Sequence, residues 1–139
     1  ARGGTLIQDI NSQVSGAIQH EQGIPRDRPS HKVKLQPDSR LATIAAAEEA
    51  VVNSHHHQAV ANLGNDLIAV SWSSEGLIEA VEDPRRDRFV VAVQWHPELG
   101  WKEDQLSQSI FKSFVAEAEK RIDEKAKVNA IPSLALAES

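Results

Sequence analysis

The chain has 139 residues, 40% hydrophobic and 25% charged, which is the mixture of one ordinary globular domain. A net charge of −5 argues against nucleic acid or an anionic membrane as partner, because both reward basic patches. No apolar stretch approaches the ~20 residues that span a bilayer, no signal peptide is visible, and the absence of cysteine excludes disulfides and thiolate metal ligands within these residues; a cytoplasmic location is the default expectation.

In chain order, Gly3-Gly4 reads as a tight turn between two elements. Residues 5–10 are short and mixed, and 11–30 read as a long surface loop with one helical turn. "HKVKLQP" alternates polar and apolar residues and predicts a half-buried strand. Ser39 can cap a short helix over residues 40–47, because its hydroxyl can accept from a free amide of the first turn. "AVVN" predicts a buried strand leading into "SHHHQAV". "DLIAVSWS" and "LIEAVED", separated by "SEG", predict a hairpin. "DPRRDR" is a polar turn in which the charges are expected to be solvated. "FVVAVQW" is almost continuously apolar and predicts a central strand of a parallel sheet, covered on both faces. Residues 103–124 place Leu106, Ile110, Phe111, Phe114, Val115, Ala118 and Ile122 in one helical stripe. Residues 125–139 lose the period, contain a proline and read as a surface tail.

Chemistry concentrates where "FVVAVQW" ends. Active sites of open α/β sheets lie at the carboxyl ends of strands. His96 stands there, and Pro97 stops the strand ladder by removing an amide donor. A histidine in that place can take a proton from a nucleophile and return it to a leaving group. Glu98 is near enough in sequence to accept from its other ring nitrogen and stabilise the imidazolium. The three adjacent histidines of "VNSHHHQAV" suggest a metal, but ring vectors on an extended chain diverge, and no metal is expected. That segment instead suits a loop whose polar groups border a small-molecule pocket. Trp72 and Trp95, on strands, are expected in the core or a pocket wall. Trp101, after Gly100, could cover the site.

The stretches "GGTLIQDI", "SHKVKL", "VNSHHHQAV", "EGLIEAVE" and "VAVQWHPE", in this order over most of residues 3–120, resemble the class I glutamine amidotransferase superfamily, and within it the γ-glutamyl-peptide hydrolase branch. The resemblance implies a three-layer, flavodoxin-like α/β fold, of which residues 1–124 would be the C-terminal part. It implies His96 as general base and acid, Glu98 as its orienting partner, and Ser54, His56 and Gln58 bordering the substrate. His55 and His57 fall in the family's variable slots. The implied reaction is hydrolysis of a small γ-glutamyl amide without metal or organic cofactor. In this family a nucleophilic cysteine precedes the segment corresponding to Gly3-Gly4. The cysteine is therefore expected in polypeptide outside this sequence, and the N-terminal part of the same domain is the expected partner, covalent, cleaved or swapped. Two other readings stay open: a glutaminase subunit feeding ammonia to a synthase, and a non-catalytic binder of γ-glutamyl ligands.

Overall fold

Strand β2 (His31–Leu35) shows how local pattern becomes architecture: His31, Val33 and Leu35 are buried while Lys32 and Lys34 are exposed. That alternation is the period of a strand with one dry face. The computed structural model describes residues 2–129. Around β2 the chain forms β1 (Thr5–Ile7), α1 (Ile10–Gln13), α2 (Arg40–Ala45), β3 (Glu49–Val52), β4 (Ala59–Asn62), β5 (Ile68–Ser73), β6 (Ile78–Glu82), β7 (Val91–Val93), α3 (Pro97–Gly100) and α4 (Gln105–Asn129). The sheet runs β1-β4-β6-β5-β2-β3, with β7 pairing β6.

The α/β class is as expected, but every pairing between these strands is antiparallel. The expected parallel arrangement is not found here because the connections are too short. A parallel pair needs a crossover of a dozen or more residues, whereas β5 and β6 are joined by Ser74, Glu75, Gly76 and Leu77 alone. Gly76 adopts φ 87°, the left-handed conformation that so short a hairpin loop requires. Gly4 is needed for a different reason: a Cβ there would stand 2.8 Å from the carbonyl oxygen of Asn62 on the neighbouring strand.

Three further expectations need correction. "AVVN" is not a buried strand: among the described residues β3 is the sheet edge, paired on one side only, with Val52 buried and Val51 exposed. "FVVAVQW" contributes only three strand residues, paired with β6 alone among the described residues, and they are not covered on both faces. Val91 and Val93 pack on the core while Ala92 faces out. The loop before β2 is not all surface: His20 and Gln22 are buried within it, since their side chains bond to distant segments.

The main core joins Val33 and Leu35, Val52, Val70 and Ala80 to Leu41 of α2 and to Trp95, with Leu106 and Ile110 of α4 at its margin. Ser39 caps α2 as expected, accepting from Ala42 N at 3.0 Å. The helix ends at Ala45, two residues early, where Ala46 turns left-handed. Asp104 opens α4 by accepting from Ser107 N at 2.7 Å. The helix continues through Asn129, past the expected end at 124, and residues 130–139 of the expected tail lie outside the described residues. Its apolar stripe divides: Leu106 and Ile110 meet the core, while Phe111, Phe114, Val115 and Ile122 are exposed. No helix among the described residues is long and apolar enough to cross a membrane.

Candidate active site

The chain leaves β7 through Gln94 and Trp95 and turns at His96, the residue that precedes α3. Trp95 is buried in the core and so anchors the turn from below. Pro97 occupies the first position of α3, where its missing N–H costs nothing. The result is a histidine at the end of a strand whose backbone is fixed on both sides.

His96 and Glu98 meet: Nδ1 lies 2.7 Å from Glu98 Oε1. A carboxylate can only accept, so the proton sits on Nδ1 and the lone pair of a neutral ring is left on Nε2. That tautomer is the one a general base needs. Partial burial pushes the Glu98 carboxyl up, but the hydrogen bond from His96, its own backbone amide and the nearby charges of His96 and Arg26 outweigh it, and the group is held below its ordinary range. His96 is about one-third exposed, so a reacting group can approach.

A residue that sequence reasoning left without a role completes this corner. Asn53, after β3, donates from Nδ2 to His96 O at 2.8 Å and accepts at Oδ1 from His96 N at 2.8 Å. The His55 ring stands edge-on to that of His96, centroids 5.8 Å apart, and donates from Nε2 to the Arg26 carbonyl at 2.7 Å. Asn53 was visible in "VNSHHHQAV", but nothing in one sequence pairs it with a backbone 43 residues away.

The expected substrate segment divides. Ser54 is fully buried; its amide donates to Gln22 Oε1 at 2.6 Å and its hydroxyl oxygen lies 3.5 Å from His20 Nδ1. His56 is buried beside His20, and its imidazole is held below the ordinary range first by burial and further by His20 and His31, against the pull of Gln58 O and Glu79. Gln58 is half-buried and donates to Gln8 Oε1 at 3.1 Å. The three side chains therefore do not converge on His96. A hollow of about 330 Å³ opens beside His56 alone of the three, with His20, Glu21 and His57 also in its wall. The three adjacent rings diverge: His55 turns to Arg26, His57 lies exposed 3.7 Å from Asp9, and only His56 points inward. Trp101 is half-exposed and lines a separate hollow with Asp27 and Pro29.

Beside His56, residues from three separate stretches gather. His20, His31 and Glu79 bring one donor atom each within 4.8 Å of one another, and they are the one such group of potential cation ligands among the described residues.

Residues 1–98 match the peptidase C26 family. A Lactococcus lactis protein described as glutamine amidotransferase-like, YvdE, is 39% identical over 113 residues, covering 81% of this chain and 46% of its own. The gamma-glutamyl-gamma-aminobutyrate hydrolase PuuD of Escherichia coli K12 is 30% identical over 131 residues, covering 90% of this chain and 51% of its own. A solved Thermoplasma acidophilum protein, assigned as part of a GMP synthase, superposes with a TM-score of 0.58 at 17% identity, covering 88% of this chain and 53% of that one, a likeness of fold alone. The chain spans about half the length of the curated relatives it matches. With the ordered strand segments, the His96–Glu98 pair and the match over most of its length, the chain belongs to the peptidase C26 family of the class I glutamine amidotransferase superfamily.

Proposed function

We propose that the protein hydrolyses γ-glutamyl amide bonds in small γ-glutamyl compounds, in the cytoplasm, through a Cys-His-Glu triad whose cysteine lies outside residues 1–139. The observation that carries this reading is the 2.7 Å contact between His96 Nδ1 and Glu98 Oε1 at the end of a strand. The printed activity of the E. coli relative supports the γ-glutamyl class.

In the proposed cycle His96 Nε2 takes the thiol proton, and the thiolate attacks the γ-carbonyl carbon. The tetrahedral intermediate collapses, the C–N bond breaks, and the amine leaves with the proton from His96. Water then attacks the thioester carbonyl, again giving its proton to Nε2, and the C–S bond breaks to release glutamate and the thiol. Glu98 stabilises the imidazolium at both steps and fixes the tautomer between them. Ser54, His56 and Gln58 are proposed to border the substrate, and the hollow lined by His56 supports the part given to that residue.

The partner in this reading is the N-terminal part of the same domain. The exposed Phe111, Phe114, Val115 and Ile122 on α4 support it, since exposed apolar faces of this kind mark contact surfaces. A second reading, a glutaminase subunit supplying ammonia to a synthase, is supported by the amidotransferase-like description of the L. lactis relative.

The test uses the full-length protein with γ-glutamyl-γ-aminobutyrate and with glutamine. Amine release from the first that is abolished by His96→Ala supports the hydrolase. Ammonia release from glutamine that rises sharply only with a synthase supports the second reading. Serine or alanine in the upstream cysteine slot, with ligand binding but no turnover, supports a non-catalytic binder.

A further inference from the structure

His20, His31, His56 and Glu79 are 3%, 8%, 8% and 1% exposed, and their polar atoms turn toward one another. Glu79 Oε1 lies 3.2 Å from His31 Nε2, 3.3 Å from His20 Nδ1 and 3.7 Å from His56 Nε2. His20 Nδ1 and His56 Nε2 are 3.2 Å apart. A bulge aims Glu79 inward: Ala80 and Ile78 face consecutive residues of β5, Ser71 and Trp72, leaving Glu79 between them without a register partner.

Outer partners decide which ring nitrogens carry protons. Glu75 Oε1 lies 2.5 Å from His20 Nε2, so that nitrogen donates and Nδ1 of a neutral ring presents a lone pair inward. The Gln58 carbonyl accepts from His56 Nδ1 at 2.8 Å, so Nε2 of that ring also presents a lone pair inward. Two lone pairs and a carboxylate oxygen then face one another across 3.2–3.7 Å. Glu79 Oε2 and His31 Nδ1 are buried without hydrogen-bond partners among the described residues. The inward lone pairs of His20 Nδ1 and His56 Nε2 beside Glu79 Oε1 are costly to bury unless a cation or a proton lies between them.

The spacing suits a metal. Ligands at the usual zinc–nitrogen distance on a tetrahedron stand about 3.3 Å from each other. Two outer contacts match: a ligating histidine gives its other N–H to a carboxylate or a carbonyl, as His20 does to Glu75 and His56 to Gln58, whereas His31 Nδ1 has no such partner among the described residues. Imidazoles with one carboxylate favour a zinc-class ion over magnesium or calcium, which take oxygen ligands.

We propose that His20 Nδ1, His31 Nε2 and Glu79 Oε1 form a site for a divalent transition-metal ion of the zinc class, with His56 Nε2 beside it, 3.2 Å from His20 Nδ1. The ligands come from the loop after α1, from β2 and from β6. An ion there ties these stretches together. All three ligands are buried, so the ion is structural. This site goes beyond the hydrolase reading and does not depend on it. It also departs from the expectation of no metal, which considered only adjacent histidines.

The experiment uses untagged full-length protein, stripped with a chelator and titrated with Co²⁺ and Zn²⁺. Expected are about one equivalent bound, the visible d–d bands of tetrahedral cobalt, and a thermal midpoint that rises with Zn²⁺. Glu75→Gln, which keeps every ligand, should weaken Zn²⁺ binding by about 10–100-fold while circular dichroism stays unchanged. His57→Asn, outside the cluster, should leave the affinity alone. A stripped, folded protein that binds neither ion overturns the proposal and leaves a shared proton in the gap. So does unchanged affinity in Glu75→Gln, or lost affinity in His57→Asn. Should His31→Gln fail to fold, Glu75→Gln still decides.

Discussion

The carboxamide of Asn53 grips His96 by both of its backbone polar groups, donating to its carbonyl and accepting from its amide, each at 2.8 Å. A side-chain amide is well suited to this, since it carries an uncharged donor and acceptor side by side. Asn53 touches no reacting atom and acts as a positioning residue. Replacing it with alanine should lower kcat on a γ-glutamyl substrate by about 100-fold, the scale of an ångström-sized misplacement, with KM little changed. Two lost hydrogen bonds should also cost about 1–3 kcal/mol of stability. Steady-state kinetics with a matched denaturant melt separates the effects, and unchanged kcat would remove the positioning role.

Glu98→Gln keeps the shape but offers His96 an amide instead of a carboxylate. The expected loss in kcat is about 10²–10⁴-fold. The Glu98 carboxyl is held below the ordinary glutamate value of about pH 4.3. Its support for the protonated ring is present above that pH and is lost as pH falls through its folded-state value. An acid limb of kcat/KM lying above this range should therefore persist in Glu98→Gln. Disappearance of that limb would show that Glu98 itself titrates there.

Acid stability should depend on Asp83. Arg85 donates from Nε and Nη2 to its two oxygens at 2.8 and 2.5 Å, and these hydrogen bonds hold the carboxyl well below the usual carboxylate range. The backbone amide of Arg85 and the charges of Arg85 and Arg88 add to this against the opposing effect of desolvation. The sign follows: the unfolded state binds the proton first, so the stabilisation is complete above about pH 4 and is lost as pH falls through the folded-state value. Arg85→Met should flatten the fall in stability below about pH 4. Equal slopes in urea melts of both proteins would rule the pair out as a source of acid sensitivity.

Phe114 tests whether more polypeptide covers α4. Its side chain is 60% exposed within residues 2–129, where truncation removes little packing. If the N-terminal part of the domain lies on this face, Phe114→Ala in the full-length protein should cost about 3–5 kcal/mol, as for a buried phenylalanine. A cost within about 0.5 kcal/mol would mark the face as uncovered. By the same reasoning, residues 1–139 alone should not melt cooperatively as a monomer.

Leu41 provides the contrast within the core. It is fully buried between α2 and the sheet, and Leu41→Ala should cost about 2–5 kcal/mol by chemical denaturation. A loss under about 1 kcal/mol would mean the cavity collapses freely, which a close-packed interior does not allow.

What could be read along the chain was what neighbours decide. The Ser39 cap spans three residues, the Gly76 turn joins adjacent strands, and the His96–Glu98 pair spans two. The alternation of β2 and the stripe of α4 needed only a known period. The errors have a common source. An apolar run such as "FVVAVQW" says that burial is available, not which neighbours supply it, so β7 was expected at the centre of a sheet and pairs only with β6 among the described residues. The loop before β2 read as surface because nothing local announces that His20 reaches Glu75, 55 positions on, or that Gln22 holds the amide of Ser54.

By itself the sequence determined the α/β class, most element types and the nearness of His96 to Glu98, because those depend on residues within a few bonds' reach. Only the tertiary structure decided the antiparallel pairing, the Asn53 clamp and the gathering of His20, His31, His56 and Glu79. Such contacts join residues far apart in the chain, such as Asn53 and His96 at 43 positions or His31 and Glu79 at 48, and the direction of a side chain across that gap is set by strand register and bulges, which the packing of the whole chain chooses.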